Sequence, residues 1–122
     1  MDHSPKFLAL VEETKKRVRE ITIADVKSRQ AKGEKLLLVD VREDNEWEKG
    51  RIPGAVHLGR GILERDIEKA SPDPRREIIL YCGGGFRSAL SADNLQRMGY
   101  TNVLSLAGGW REWTSGGNPV EK

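Results

Sequence analysis

Short apolar runs that alternate with segments of helical spacing constrain this chain more than any other feature. Leu36 to Val41 is apolar throughout except for Asp40, Ile78 to Tyr81 is unbroken, and Val103 to Leu106 is interrupted only by Ser105. Runs this short, rich in branched side chains, read as buried strands of a parallel sheet covered on both faces. Ala55 to Leu58 suits a shorter strand. Between the runs, apolar residues recur every three or four positions: Ile23, Val26 and Ala31; Leu63 and Ile67 within 62–70; Ala89, Leu90, Ala92, Leu95 and Met98. Thr22 followed by Asp25 marks one helix start, Gly33, Gly50 and Gly99 mark stops, and Ser71-Pro-Asp-Pro74 marks an exposed loop. Short helices are expected through Glu46 and Trp47 and from Trp110 to Thr114. Strand–helix alternation predicts an α/β domain with a mainly parallel sheet, whose ligands bind outside the C-terminal ends of the strands.

Ser4-Pro5 opens a further helix that carries Phe7, Leu10 or Val11, Thr14 and Val18 on one side. Residues 1–20 therefore read as an N-terminal amphipathic helical extension, which either packs on its own domain or serves a partner or dimer contact. Lys15, Lys16, Arg17 and Arg19 form a solvated basic cluster near the end of that helix. Residues 21–116 make up the main domain, and residues 117–122 are expected to be a flexible tail.

A length of 122 residues allows one domain with one core. Lys and Arg number 21 against 19 Asp and Glu, a net charge of +2. That near-balance argues against a nucleic-acid partner, which calls for a basic face. The single cysteine excludes an internal disulfide, and with only His3 and His57 beside it, no metal site is expected. A reducing compartment suits such a chain. Phe7 to Val11 is too short for a signal peptide, and no stretch approaches the ~20 apolar residues of a membrane span. A soluble, cytoplasmic protein with no membrane partner is the expectation.

Cys82 is that single cysteine. It stands where the run Ile78 to Tyr81 breaks into Gly83-Gly84-Gly85-Phe86-Arg87-Ser88, immediately before a helical segment. The first N–H groups of a helix lack intrahelical acceptors and carry partial positive charge, so such a turn is a nest for an anion. Three glycines let those N–H groups converge without a Cβ in the way. Arg87 either grips an oxyanion with its planar fork or braces the loop from outside. A lone cysteine after a strand is often only a small buried apolar residue. The glycine run, the arginine and the helix start together favour a nucleophile. The loop is not a Walker phosphate loop, because Gly, four residues and Gly-Lys-Ser/Thr occur nowhere in the chain.

These residues resemble the rhodanese, or thiosulfate sulfurtransferase, family. Cys82 to Ser88 is similar to its active-site loop, and Asp40-Val-Arg42-Glu43 with Glu46 and Trp47 to a second family segment. Gly50-Arg51-Ile52-Pro53-Gly54-Ala55 is similar to the family's turn, although Arg51 stands where histidine is commoner. Leu106-Ala-Gly108-Gly109-Trp110 with Trp113 resembles its closing helix start. The four motifs follow family order over residues 21–116.

The resemblance implies a three-layer domain, a five-stranded sheet flanked by helices, and sulfur transfer through a Cys82 persulfide without a cofactor. The implied partners are a small sulfur donor, thiosulfate or a persulfide, and a thiol or cyanide acceptor, with an acceptor protein also open. Gly83, Gly84, Gly85, Phe86, Arg87 and Ser88 would bind substrate through backbone amides. Arg60 either reaches the pocket mouth or is a solvated arginine. Asp40 and Arg42 are expected to orient the surrounding loops as an ion pair, and His57 reads as a packed strand residue rather than a site residue. Two other readings stand beside this one. Phosphatase or arsenate reductase chemistry calls for five residues between Cys and Arg, whereas Cys82 and Arg87 enclose four. A persulfide carrier or a noncatalytic binding module would use the same fold.

Overall fold

The computed structural model of the protein describes residues 3–122. In chain order the elements are α1 (Pro5–Lys15), β1 (Arg19–Ile21), α2 (Ile23–Ala31), β2 (Leu38–Asp40), α3 (Asp44–Lys49) and β3 (Val56–His57). α4 (Leu63–Ala70), β4 (Ile78–Tyr81), α5 (Phe86–Arg97), β5 (Val103–Leu106) and α6 (Gly109–Ser115) complete the set. Helix starts follow the cap chemistry of the sequence. The Ser4 hydroxyl accepts from the Phe7 N–H at 3.3 Å, and the Thr22 hydroxyl from the Asp25 N–H at 3.1 Å.

All five strands run parallel, in the order β1-β5-β4-β2-β3. β4 lies at the centre, with Leu80 opposite Val39 of β2 and Ser105 of β5. Alternation along β4 sends Ile78, Leu80 and Cys82 to one face, with Leu63 and Ile67 of α4 and Ala92 and Leu95 of α5. Ile79 and Tyr81 go to the other face, with Val26 of α2 and Trp113 of α6. The sheet is thus the middle of three layers, and α1 adds to the α4–α5 layer by packing on α5. Because β4 is buried along its whole length, the loop that follows it starts from a rigid edge.

Two segments differ from the sequence expectations. Arg19–Ile21 is an edge strand paired to β5, so the sheet begins inside the stretch read as helical extension. Three residues, two of them charged and exposed, leave no apolar run for the eye to catch. Residues 117–122 fold back onto the domain instead of trailing away. The Trp113 Nε1–H donates to the Pro119 carbonyl at 2.7 Å, and Arg51 and Glu121 exchange both backbone hydrogen bonds at 2.9 Å. The anchor is Trp113, which is buried and whose ring N–H needs an acceptor. No helix among the described residues is long and apolar enough to cross a membrane.

Candidate active site

β4 delivers Cys82 to the C-terminal edge of the sheet with its side chain 1% exposed. Its Sγ accepts N–H groups from Gly85 at 3.2 Å and Ser88 at 3.3 Å. The Ser88 hydroxyl lies 3.5 Å from the sulfur and 2.8 Å from the hydroxyl of Ser105 on β5. Gly85 takes φ +94°, the left-handed conformation that lets the chain wrap the sulfur before α5 starts. The backbone N–H groups of Gly83, Gly84, Phe86 and Arg87 meet no acceptor among the described residues.

The outside of the loop is held by α6. The Trp110 N–H donates to the Cys82 carbonyl at 2.8 Å and the Arg111 N–H to the Gly83 carbonyl at 2.9 Å. Carbonyls are therefore consumed on the outer side, and the loop is left with donors to offer. Gly109 permits this approach, because it has φ +51° and a Cβ there would collide with the Cys82 carbonyl.

A cavity of about 530 Å³ opens beside Cys82. Arg87, at the first turn of α5, lines it but is not free. Its Nη1 and Nη2 donate to the two carboxylate oxygens of Glu46 at 2.8 and 3.1 Å, and the guanidinium lies against Gly83. Glu46 is fixed in turn by the Glu43 N–H at 3.1 Å, inside the capping box of α3. The hydrogen bond from Arg87 holds the Glu46 carboxyl below its usual range, against a partial opposing effect of burial. Arg60 and Arg111 also line the cavity, and neither side chain has a hydrogen bond or ion pair among the described residues. Three guanidinium groups against one carboxylate leave the cavity cationic.

Of the residues singled out by sequence, Cys82, Gly83, Gly84, Phe86, Arg87 and Arg60 border the cavity, and Gly85 and Ser88 contact the sulfur. Asp40 and Arg42 lie behind it as a buried pair: Arg42 Nη2 donates to Asp40 Oδ2 at 2.7 Å and to the Gly50 carbonyl at 2.7 Å. The Arg42 guanidinium sits 4.6 Å from the Trp110 ring, which ties the β2 loop to the start of α6. His57 is stacked on Trp47 with ring centres 4.8 Å apart, and its Nε2 is 2.9 Å from the Arg42 carbonyl, away from the cavity. Sequence reasoning missed Glu46 as the partner of Arg87, Arg111, Ser105, and the two α1-side residues His3 and Phe7, all placed here by tertiary packing. Among the described residues no three His, Cys, Asp or Glu side chains are grouped to hold a metal ion.

The family model of the rhodanese-like domain matches residues 22–116. A protein named sulfurtransferase from Allochromatium vinosum is 34% identical over 103 residues, covering 84% of this chain and 94% of the relative. YrkF of Bacillus subtilis, provisionally named a sulfur carrier protein, is 33% identical over 97 residues, and the match spans 80% of this chain but about half (51%) of that protein. Among solved structures, a Rhodopseudomonas palustris protein described as of unknown function and a possible tyrosine phosphatase superposes with a TM-score of 0.83. It shares 33% identity, with 99% of each chain covered. With a sheet, a cysteine loop and a matched span that all agree, this chain belongs to the rhodanese-like domain family.

Proposed function

We propose that the protein is a sulfurtransferase that carries sulfane sulfur on Cys82, taking it from thiosulfate or a related donor and passing it to a thiol or cyanide. The observation that carries this reading is the sulfur of Cys82 accepting two backbone N–H groups at 3.2 and 3.3 Å in a cationic cavity. The Cys82 thiolate attacks the outer sulfur of the donor, a new S–S bond forms, the donor's S–S bond breaks, and sulfite leaves with its electron pair. Uncommitted N–H groups of the cradle support the persulfide anion as an oxyanion hole supports developing charge. Cyanide or a thiolate then attacks the outer sulfur, and the Cys82 thiolate is the leaving group. No proton has to be removed from thiosulfate, so loading needs no general base.

Arg87 acts here as a brace: its fork is filled by Glu46, so it holds the loop while Arg60 and Arg111 attract the anion. The name of the Allochromatium vinosum relative supports transfer, and that of YrkF supports the neighbouring role of persulfide carrier for a partner protein. The description of the Rhodopseudomonas palustris structure raises phosphatase chemistry. A guanidinium already paired with a carboxylate, in a loop with four residues between Cys82 and Arg87, is poorly suited to grip a tetrahedral phosphate.

The test is intact-protein mass after brief exposure to thiosulfate, then to cyanide, for the native chain and Cys82→Ala. A gain of one sulfur atom on the native chain alone, discharged by cyanide, is the expected result. Sulfur taken only from a persulfide donor would retain the chemistry and change the donor. No uptake from either, with hydrolysis of an aryl phosphate, would overturn the reading.

A further inference from the structure

The cavity beside Cys82 has an aromatic side that the inorganic reaction does not use. Around the Gly83–Gly84 end of the loop stand Arg87 and Arg111, the latter close enough that a Cβ on Gly84 would lie 3.4 Å from its Nη1. At the other end stands Phe86, and His3 and Phe7 close around it. The His3 and Phe86 ring centres are 4.7 Å apart at 72°, Phe7 and Phe86 6.1 Å at 70°, and His3 and Phe7 5.2 Å. Phe86 is held from α1 a second time, by the Lys15 ammonium 5.1 Å from its ring centre. The two contacts on Phe86 are edge-to-face, an arrangement aromatic groups favour, and His3 and Phe7 are tilted at 45° to one another, so the three rings pack as one wall. His3 and Phe7 lie outside the span matched by the family model, His3 just ahead of α1 and Phe7 in its first turn.

α1 is fixed well enough to serve as a wall. Val11 and Thr14 are buried against the domain, Arg17 forks onto Asp93 of α5 at 3.1 and 3.3 Å, and Gln96 donates to the Arg17 carbonyl at 3.0 Å. The resulting cavity of about 530 Å³ lies within the roughly 300–1,000 Å³ that hold drug-sized organic ligands. Thiosulfate, with its few non-hydrogen atoms, fills a small part of it. The unpaired Arg111 guanidinium beside Gly84, a second unpaired arginine, Arg60, elsewhere on the lining, and three aromatic rings at the other end describe a ligand with an anionic head and a flat apolar body.

We infer that His3 and Phe7 of the N-terminal segment form a specificity wall of the active site, selecting organic co-substrates that carry a carboxylate on an aromatic or apolar body. The inference rests on the sulfur-transfer reading for its biological use, but the binding it asserts stands apart from that chemistry. An aryl thiol of this class would discharge Cys82 by losing its proton to solvent and attacking the outer sulfur as thiolate. Its persulfide anion would then depart, with the Cys82 thiolate restored.

The test uses the full chain and a ligand without sulfur. Naphthoate should slow alkylation of Cys82 by iodoacetamide, acetate should do so far more weakly, and Phe7→Ala should weaken naphthoate protection about tenfold, the scale set by losing the contact of one aromatic side chain. Phe7→Leu, which keeps apolar bulk, should restore part of it. In single turnovers with persulfidated protein, the ratio of kcat/KM for mercaptobenzoate over cyanide should fall about tenfold in Phe7→Ala, through KM, on the same contact energy. Equal protection by naphthoate and acetate, or a ratio unmoved in Phe7→Ala, would overturn the inference. Protection by naphthoate in a protein that takes no sulfur from any donor would instead keep the wall and remove the sulfurtransferase reading.

Discussion

The two halves of this site are made of different material. The cradle around Cys82 is built from backbone: N–H groups of Gly85 and Ser88 on the sulfur, carbonyls of Cys82 and Gly83 tied to α6, and glycines where a Cβ would not fit. The opposite wall is built from side chains that three separate elements carry in: Glu46 from α3, Arg111 from α6, and Phe7 from α1. Backbone donors recognise charge with little regard for what bears it, so the cradle suits a sulfur anion in any company. Side chains set the shape and polarity of the rest. The difference separates chemistry from selectivity, and each can be broken without the other.

The largest effect comes from the nucleophile. Cys82→Ser should lose persulfide formation altogether in the mass experiment while unfolding at an unchanged denaturant midpoint, since a smaller oxygen occupies the same buried place. Transfer that survives in this protein would end the mechanism. Next comes the frame that holds the cradle. Gly109→Ala puts a Cβ into the Cys82 carbonyl at a residue with φ +51°, which should cost about 1–3 kcal/mol of stability and slow loading as well. Urea unfolding and single-turnover loading measure the two. A Gly109→Ala protein as stable and active as the parent would mean that the α6 start does not shape the loop.

Much of the first half was legible in the sequence, and little of the second. Ile78–Tyr81 is a strand with the bounds the apolar run suggests, because four consecutive buried residues admit few other structures. The turn was legible because three glycines beside a cysteine and before a helical pattern act over a handful of residues. The pairing of Arg87 with Glu46 spans 41 positions, and the packing of Phe7 on Phe86 spans most of the chain; neither leaves a local trace. Arg42 and Asp40 were nameable as an ion pair from their opposite charges near the end of β2, but only the fold brings the Gly50 carbonyl and the Trp110 ring onto the same guanidinium. β1 escaped notice for the opposite reason. As a three-residue edge strand it owes its form to β5, not to its own composition.

The brace lies between the halves and gives the next effect. Arg87→Lys retains the charge and loses the bidentate fork on Glu46, so loading should slow by about ten- to a hundredfold, the range expected for one charged hydrogen bond. Acid should produce a similar loss reversibly. The Glu46 carboxyl is held below its usual range chiefly by Arg87, so its contribution is fully present above the ordinary carboxylate range. It is lost as pH falls through the depressed folded value. A pH profile of loading should therefore carry an acid limb that Glu46→Gln removes. An identical limb in Glu46→Gln would assign it to another group and detach Arg87 from the cradle.

The smallest effect tests whether α1 needs its far anchor in order to act as a wall. Arg17, in the turn just after α1, pairs with Asp93 of α5, but its side chain is 45% exposed, and such pairs contribute about 0.2–1 kcal/mol. Val11 and Thr14 are buried on α1 itself, independently of that ion pair, so their packing is expected to hold the helix in place. Arg17→Ala should therefore lower the urea midpoint only slightly and leave naphthoate protection of Cys82 within about fivefold of the parent, the most that an energy of about 1 kcal/mol can move. Loss of protection as large as that in Phe7→Ala would show that the wall is held by charge at its distal end, and that its position near Cys82 responds to salt.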